Sequence, residues 1–263
     1  EYVFCGEIFH GIEAGAHRRG YAIVLGFTSR DHWREQTYLE ILNSRRADGL
    51  IIVDPQVRKQ VESGARGPVP IVQLLDAPAG AAATVRIDDA AAAAEVTRHL
   101  IGLGHRRIAH VRGACPSFAA ERRLTGYHQA LDAAGIAYDE TLVIHADYSY
   151  AAGSMAIDAL MALPKPPTAV FCANDTMALG ALWRCKQLGL TVPGSISIAG
   201  IDDIYSASIS DPPLTTVRQP RQEIGAAGVD MLISMLEGRR GVAREIVLPH
   251  EVVVRSSTGA PHS

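Results

Sequence analysis

Residues 167–203, PTAVFCANDTMALGALWRCKQLGLTVPGSISIAGIDD, decide the fold, because they hold two apolar strands with one helix between them. The runs 169–173 and 196–201 are apolar on both faces, as parallel strands are when helices cover both sides of their sheet. The helical pattern at 175–188 supplies the crossover that two parallel strands need. This strand–helix–strand order predicts a parallel βαβ unit.

The same order repeats along the chain and predicts an α/β protein with parallel sheets. Strands are expected at 21–25, 49–53, 69–74, 84–87, 108–112, 141–144, 169–173 and 196–201. Helices are expected at 6–19, 34–46, 56–64, 89–103, 121–135, 151–163, 175–188 and 221–237. The alternation then breaks at PPLTTVRQP (212–220) and EIVLPHEVVVRSST (245–258), where proline cuts short β runs. Such segments suit crossings between sheets, so two doubly wound lobes fit better than one closed barrel.

Composition excludes several classes of protein. The chain has 263 residues, 48% of them apolar and 20% charged, which is typical of a folded domain. Its formal charge of −3 lacks the basic excess of a nucleic-acid-binding surface, so the chain as given is not expected to bind DNA by itself. Four scattered cysteines predict neither a disulfide framework nor a zinc site. No apolar run approaches the ~20 residues of a membrane span, and the cytoplasm is the expected location.

Motifs of catalysis are missing from the sequence. It contains no phosphate-binding glycine loop, no G-x-S-x-G elbow and no H-E-x-x-H helix. The ten histidines lack metal-ligand spacing, and His105 is expected to be a helix cap or a surface residue. The sequence therefore predicts a protein that is not an enzyme and that has no catalytic residue, metal or cofactor.

Polar residues recur where predicted strands end. The pairs are Asn174-Asp175, Asp202-Asp203 and Asp88-Asp89, with Asp54 after a further strand. Each pair alone could simply cap the following helix, since Asn and Asp accept hydrogen bonds from first-turn N–H groups. Ligands of open parallel sheets, however, bind outside the carboxyl ends of the strands. The whole series favours a cleft with a polar rim.

The chain resembles the effector-binding core of the LacI/GalR family of bacterial transcription regulators across almost its whole length. The matching stretches are GHRRIAHVRG (104–113), ERRLTGYHQAL (121–131), residues 167–203, DPPLTTVRQPRQEIGAAGVDMLISMLEG (211–238) and LPHEVVVRSST (248–258). The last two are the most specific. The resemblance implies a periplasmic-binding-protein-like fold of type I, with two Rossmann-like lobes joined by three crossovers and a small molecule between them. By position, the N-terminal lobe would be 1–104 plus 220–248, and the C-terminal lobe 105–219 plus 249–263.

The resemblance also implies which side chains contact the ligand. Arg123 matches the family's cleft arginine, whose planar fork can take two sugar hydroxyls or a carboxylate. Asp202 matches an acidic residue that accepts hydrogen bonds from ligand hydroxyls or amines. Asn174 matches an amide that contacts the ligand beside it, which leaves Asp175 as the expected helix cap.

Three further positions in the same lobe match the family less closely. Tyr148 falls where an aromatic ring often stacks on the ligand, although a plain surface tyrosine is an open alternative. Ser117 and Gln219 match polar positions that vary within the family. All three are candidate ligand-binding residues.

The N-terminal lobe departs from the family pattern. Where the family has an aromatic loop ahead of its first helix, this chain keeps Phe4 and has Cys5 in place of the second ring. Ser29 and Arg30 are expected to face the cleft. These differences predict a roomier or chemically distinct pocket.

The expected function is the ligand-sensing and dimerisation core of a LacI-type repressor. It would form a homodimer, bind a small polar effector with a sugar the leading candidate, and alter operator affinity allosterically. The family's DNA-binding helix-turn-helix and the first strand of its core are absent from this sequence, so we expect the protein to extend upstream. The alternatives are a periplasmic sugar-binding protein of a transport system and, on the cleft acids alone, a doubly wound hydrolase.

Overall fold

A computed structural model of the chain describes residues 2–27, 37–38, 40–41, 43–44, 46–54, 57–58, 61, 69–78, 81, 83–239 and 241–261. The chain divides into two compact units. Unit 1 comprises Glu1–Ile87 and Pro220–Leu248, and unit 2 comprises Asp88–Gln219 and Pro249–Ser263.

The described part of the chain is built from α-helices and β-strands. In chain order they are α1 (Tyr2–Arg18), β1 (Leu50–Ile52), β2 (Ile71–Leu74), β3 (Thr84–Ile87), α2 (Asp89–Gly102), β4 (Ile108–Arg112), α3 (Phe118–Ala133), β5 (Val143–His145), α4 (Tyr150–Met161), β6 (Ala169–Cys172), α5 (Asp175–Gln187), β7 (Ser197–Ala199), α6 (Tyr205–Ile209), β8 (Thr216–Arg218), α7 (Arg221–Leu236), β9 (Glu245–Leu248) and β10 (Glu251–Val253).

Each unit has a parallel sheet, which confirms the predicted α/β class. The sheet of unit 1 has the order β1-β2-β3-β9, and the sheet of unit 2 has the order β5-β4-β6-β7. Strands β4 and β6 are buried at every residue, as their apolar runs predict. The proline-cut segments form β8, β9 and β10: β9 joins the sheet of unit 1, and β8 and β10 pair antiparallel within unit 2.

The beginning of unit 1 differs from the prediction. Helix α1 already begins at Tyr2, so Phe4 and Cys5 lie in its first turn and not in a loop. Residues 21–25, predicted as a strand, belong to no strand, and no neighbouring strand pairs with them in the described part of the chain. Their apolar side chains are accordingly exposed, as at Val24 with 71%. The predicted helices at 34–46 and 56–64 fall largely outside the described residues.

Helix α2 belongs to unit 2, whereas the family resemblance placed the first lobe boundary at residue 104. The physical reason is its packing against α3. At Gly126 of α3, a Cβ atom would lie 2.0 Å from the carbonyl oxygen of Ala90 in α2. Only glycine permits this approach, and it fixes α2 to the unit that α3 belongs to.

Residues 255–259 complete unit 2 through hydroxyl groups. The Oγ of Ser257 accepts a hydrogen bond from the N–H of Thr215 (2.7 Å) and donates one to the carbonyl of Ile198 (2.6 Å). The ring of His105, 1% exposed, reaches the Oγ1 of Thr168 (2.8 Å) and the carbonyl of Gly259 (2.9 Å). His105 is thus a buried residue that links two segments by hydrogen bonds, and not the cap or surface residue expected. Burial lowers the pKa of its imidazole.

Candidate functional site

The candidate site lies at the carboxyl edge of unit 2, which we define as segments 113–117, 146–149, 173–175 and 200–204. Because the four strands are parallel, the loops that follow them all emerge at this edge. Six of the predicted ligand residues belong to unit 2 and lie on these loops or on neighbouring elements. They are Ser117, Arg123, Tyr148, Asn174, Asp202 and Gln219.

Arg123 is held by a buried ion pair. Its Nε donates to the Oδ1 of Asp89 (2.9 Å), its Nη2 lies 2.8 Å from the same oxygen, and its Nη1 donates to the carbonyl of Ala173. Asp89 is 2% exposed, while its neighbour Asp88 caps α2 by accepting from the N–H groups of residues 90 and 91. Burial acts to lower the pKa of Arg123, but the interactions with Asp89, Tyr148 and Asp202 outweigh burial and raise this pKa. The guanidinium is therefore permanently charged and already paired.

Asn174 is the N-cap of α5, a role that the sequence analysis wrongly gave to Asp175. Its Oδ1 accepts from the N–H of Met177 (2.9 Å), and its Nδ2 donates to the carbonyl of Tyr148 (3.2 Å). The cap is the last residue with extended backbone, and here the helical dihedrals begin only at Asp175. Asn174 thus joins the loops after β5 and β6.

Asp175 is fully buried beneath the edge. Its Oδ2 accepts from the N–H of Ile204 (3.0 Å), and its Oδ1 accepts from the Oγ1 of Thr216 (2.6 Å). Burial, followed by the charge of Asp202, raises the pKa of Asp175 to about 8. Its two hydrogen bonds anchor the turn at 202–204 to the start of α5.

Asp202 presents hydrogen-bond acceptors at the edge. Its backbone has a φ of 129°, in the region that favours glycine, and its N–H donates to the carbonyl of Val217 (2.8 Å). Its Oδ1 accepts from the Nε2 of Gln219 (2.8 Å), and both side chains are more than nine-tenths buried. The Oε1 of Gln219 has no hydrogen-bond partner within the described ranges. Asp202 and Gln219 thus form a buried group rich in acceptors.

Asp203, the second residue of the pair, has a different role that the sequence analysis missed. Its Oδ2 accepts from the Nε of Arg218 (2.7 Å) and its Oδ1 from the Nη2 of Arg255 (2.5 Å). The sequence signal was the arginine at the end of TTVR (215–218) and of EVVVR (251–255). Nothing local connects either arginine to residue 203, which is 15 and 52 positions away.

The side chain of Tyr148 packs against the carboxyl edge of unit 2. Its backbone is left-handed (φ 70°), and its hydroxyl lies 3.3 Å from the Oγ of Ser117. At Gly113 a Cβ atom would lie 1.8 Å from the Cζ of this ring, so only glycine admits it. Ser117 also caps α3 by accepting from the N–H of Ala120 (3.1 Å). The structure therefore places Tyr148 and Ser117 together, with Asn174 bound to the same loop.

In unit 1, the residues expected to face the ligand are Phe4, Ser29 and Arg30. The Phe4 ring lies 5.8 Å from the Cζ of Arg221, a cation–π distance, and Arg221 pairs with Glu7 (Nη2 to Oε1, 2.9 Å). Ser29 and Arg30 lie outside the described residues. A ligand-binding role for Phe4 and Ser29 stays a prediction.

Two features are absent from the described residues. No group of three or more His, Cys, Asp or Glu side chains within them is arranged to hold a metal ion. Among the helices so described, none is long and apolar enough to cross a membrane.

Comparison with known proteins gives a consistent result. Residues 97–258 match the family model of a periplasmic binding protein-like domain. The HTH-type transcriptional repressor CytR of Escherichia coli K12 is 35% identical over 98% of this chain and 76% of its own length. A transcriptional regulator CelR–cellobiose complex is 31% identical, with a TM-score of 0.87 over 97% of this chain and 79% of its own. A dimeric Lac repressor is 30% identical, with a TM-score of 0.86 over 98% and 94%.

Proposed function

Since the chain belongs to the LacI/GalR family of transcription regulators and spans its effector-binding core, we propose that it binds a neutral, hydroxyl-rich effector such as a sugar. The relatives are transcriptional repressors, which are not enzymes, so the hydrolase alternative is set aside. The same relatives favour a regulator over the periplasmic sugar-binding alternative. The effector would lie against the carboxyl edge of unit 2.

The acceptors at Asp202 and Gln219 are the observation that carries this proposal. The buried amide oxygen of Gln219 has no hydrogen-bond partner in the described part of the chain, so it can accept from a donor that binds beside it, and it lies next to the Asp202 carboxylate that the same side chain bonds. Neighbouring hydroxyl groups of a sugar supply such donors and can also accept from other groups. A site built to bind hydroxyls rejects analogues without them, because its polar groups would then stay unpaired.

The pairing of Arg123 argues against an acidic effector. Three of its five N–H donors are already committed to Asp89 and to the carbonyl of Ala173. A ligand carboxylate would have to compete with Asp89 for this guanidinium. The two remaining N–H groups suit single hydrogen bonds to ligand oxygens, which replaces the bidentate carboxylate contact considered from the sequence.

The local charge points the same way. Asp89 balances the charge of Arg123, and the edge adds the carboxyl groups of Asp147, Asp175 and Asp202. A phosphate or carboxylate group placed here would meet like charge in a partly desolvated site, which is unfavourable. The CelR–cellobiose complex supports the neutral class, since cellobiose is an uncharged sugar.

We further propose a homodimer as the working form. Large apolar side chains are exposed on the helices α4, α5 and α6 of unit 2: Tyr150, Met155, Trp183, Tyr205 and Ile209. The rings of Tyr150 and Trp183 lie 6.3 Å apart, and exposed apolar patches favour contact with another protein surface. The dimeric Lac repressor among the similar structures supports a second copy as that partner.

The proposal also includes operator DNA as a partner of the whole regulator and the cytoplasm as its location. CytR is named as a helix-turn-helix repressor, and the family resemblance assigns DNA binding to that segment of the whole regulator. Effector binding would favour one conformation of the regulator, because a ligand shifts a conformational equilibrium by its differential affinity for the two states. Operator affinity would change as a result.

Isothermal titration calorimetry with matched sugars tests the effector class. Glucose and cellobiose are titrated beside glucose 6-phosphate and gluconate, which keep a similar skeleton and add a negative charge. We expect binding of a neutral member and at least ~10-fold weaker binding of its anionic counterpart. Tighter binding of the anions would overturn the proposal. So would an affinity for the neutral sugar that Asp202→Asn leaves as unchanged as the control Asp158→Asn does.

A further inference from the structure

The turn that carries Asp202 is joined to β8 and β10 by backbone hydrogen bonds. The N–H of Asp202 donates to the carbonyl of Val217 (2.8 Å), and the N–H of Gly200 donates to the carbonyl of Thr215 (2.9 Å). Strand β8 then pairs with β10, with Val217 opposite Val252. Segments 200–203, 215–219 and 251–255 therefore form one continuous piece of unit 2.

Asp203 adds a set of ion pairs over the same three segments. Its carboxylate, 8% exposed, bonds Arg218 at the end of β8 and Arg255 just beyond β10. Arg218 also donates from Nη1 to the Oε2 of Glu251 (2.9 Å), so it links two acids on different segments. Arg255 donates from its Nη1 to the carbonyl of Leu214 (2.8 Å).

These segments are where the chain leaves and re-enters unit 2. Gln219, the last residue of unit 2 before Pro220, directly follows Arg218, and β10 begins two residues after the chain returns at Pro249. A change imposed on the Asp202 turn is thus passed to both of these connections if the three segments move together.

We propose that Asp203 is a positioning residue for the effector response, which makes the Asp202 turn, β8 and β10 behave as one body. This inference rests on the proposed function, because only effector contact at Asp202 gives the coupling a role. The left-handed backbone of Asp203 (φ 53°) fits it, since such a conformation persists where surrounding contacts fix it. Its two arginine partners supply those contacts.

Amide hydrogen exchange of the 263-residue chain, without any effector, tests the coupling. Asp203→Ala and the milder Asp203→Asn should accelerate exchange in 200–204, 215–219 and 251–255 together, by about tenfold for alanine, because charged hydrogen bonds are lost. Strand β4 and helix α3 should keep their protection. Asp158→Asn, which removes an exposed ion pair with Arg184 in the same unit, should leave all three segments unchanged.

A second readout separates coupling from mere structural support. Asp203→Asn and Glu251→Gln are compared alone and together at residues 216–218. If both acids act through Arg218, the double variant should accelerate exchange less than the product of the two single effects.

Three outcomes would overturn the proposal: acceleration confined to 200–204, equal acceleration throughout unit 2, or full additivity of the two substitutions. Because no effector is present, failure here is distinct from failure of the sugar proposal. Coupled exchange together with no neutral-sugar binding would retain the role of Asp203 and reject only the effector class.

Discussion

Arg123 and Asp89 form an ion pair that is almost completely withdrawn from solvent, with Nη2 2.8 Å from Oδ1. The pair joins the start of α2 to the first half of α3, beneath the carboxyl edge of unit 2. Its burial distinguishes it from the surface pairs of the chain, such as Arg184 with Asp158. The cost of breaking it differs accordingly.

Replacing Asp89 by alanine should destabilise unit 2 by about 3–5 kcal/mol, because Arg123 would remain buried and charged without its counter-ion. Urea unfolding measures this change. Asp158→Ala, as the exposed control, should cost about 0–1 kcal/mol. Equal effects of the two substitutions would contradict the buried pairing.

Replacing Gly126 by alanine should also destabilise unit 2, by about 1–3 kcal/mol, because the new Cβ atom collides with the Ala90 carbonyl and forces α2 away from α3. Gly102→Ala is the matched control, since a Cβ atom there meets nothing within 4 Å. That substitution should be neutral or slightly stabilising in urea unfolding. Destabilisation by both variants alike would show that close helix packing is not the cause.

Asp175 should give unit 2 a distinct pH dependence. Its pKa is raised from the ordinary 3.8 to about 8 in the folded protein, so its contribution to stability is fully present below about pH 4 and is lost as pH rises toward 8. The free energy of unfolding of wild type, relative to Asp175→Asn, should therefore fall from about pH 5 to pH 8, by at most about 1.4 kcal/mol per unit. A difference that stays constant across this range would exclude a raised pKa.

Replacing Ser257 by alanine should cost about 1–3 kcal/mol, because the buried N–H of Thr215 and the carbonyl of Ile198 each lose a partner. The control is Ser195→Ala, whose hydroxyl bonds exposed Thr191 and should matter by no more than about 0.5 kcal/mol. Chemical unfolding followed by circular dichroism compares them. A cost at Ser195 that matches the cost at Ser257 would refute the proposed role of the hydroxyl.

The fold could be predicted where local pattern and tertiary environment agree. Residues 169–173 and 196–201 are apolar on both faces because their strands lie in a sheet covered by helices, and that environment leaves a direct trace in the sequence. Residues 21–25 carry the same pattern without a neighbouring strand in the described part of the chain. An apolar run indicates a preference for burial, but it forms a strand only where a neighbouring strand pairs with it.

The site could be predicted by residue type but not by partnership. The family resemblance singled out Arg123 and Asp202, yet the buried partner of Arg123 is 34 positions away, in another helix. Whether Asn174 or Asp175 caps the helix depends on a shift of one residue in the helix start, which sequence patterns do not resolve. Long-range pairing and helix register are properties of the folded chain.

The hydroxyl ties of Ser257 and the discontinuous boundaries of both units have a consequence for synthesis of the protein. On the ribosome, strands β4 to β7 emerge well before residues 255–259, which bond to Ile198 and Thr215. Unit 1 likewise waits for α7 and β9. Neither unit can therefore complete its packing and hydrogen bonds until these C-terminal segments have been synthesised.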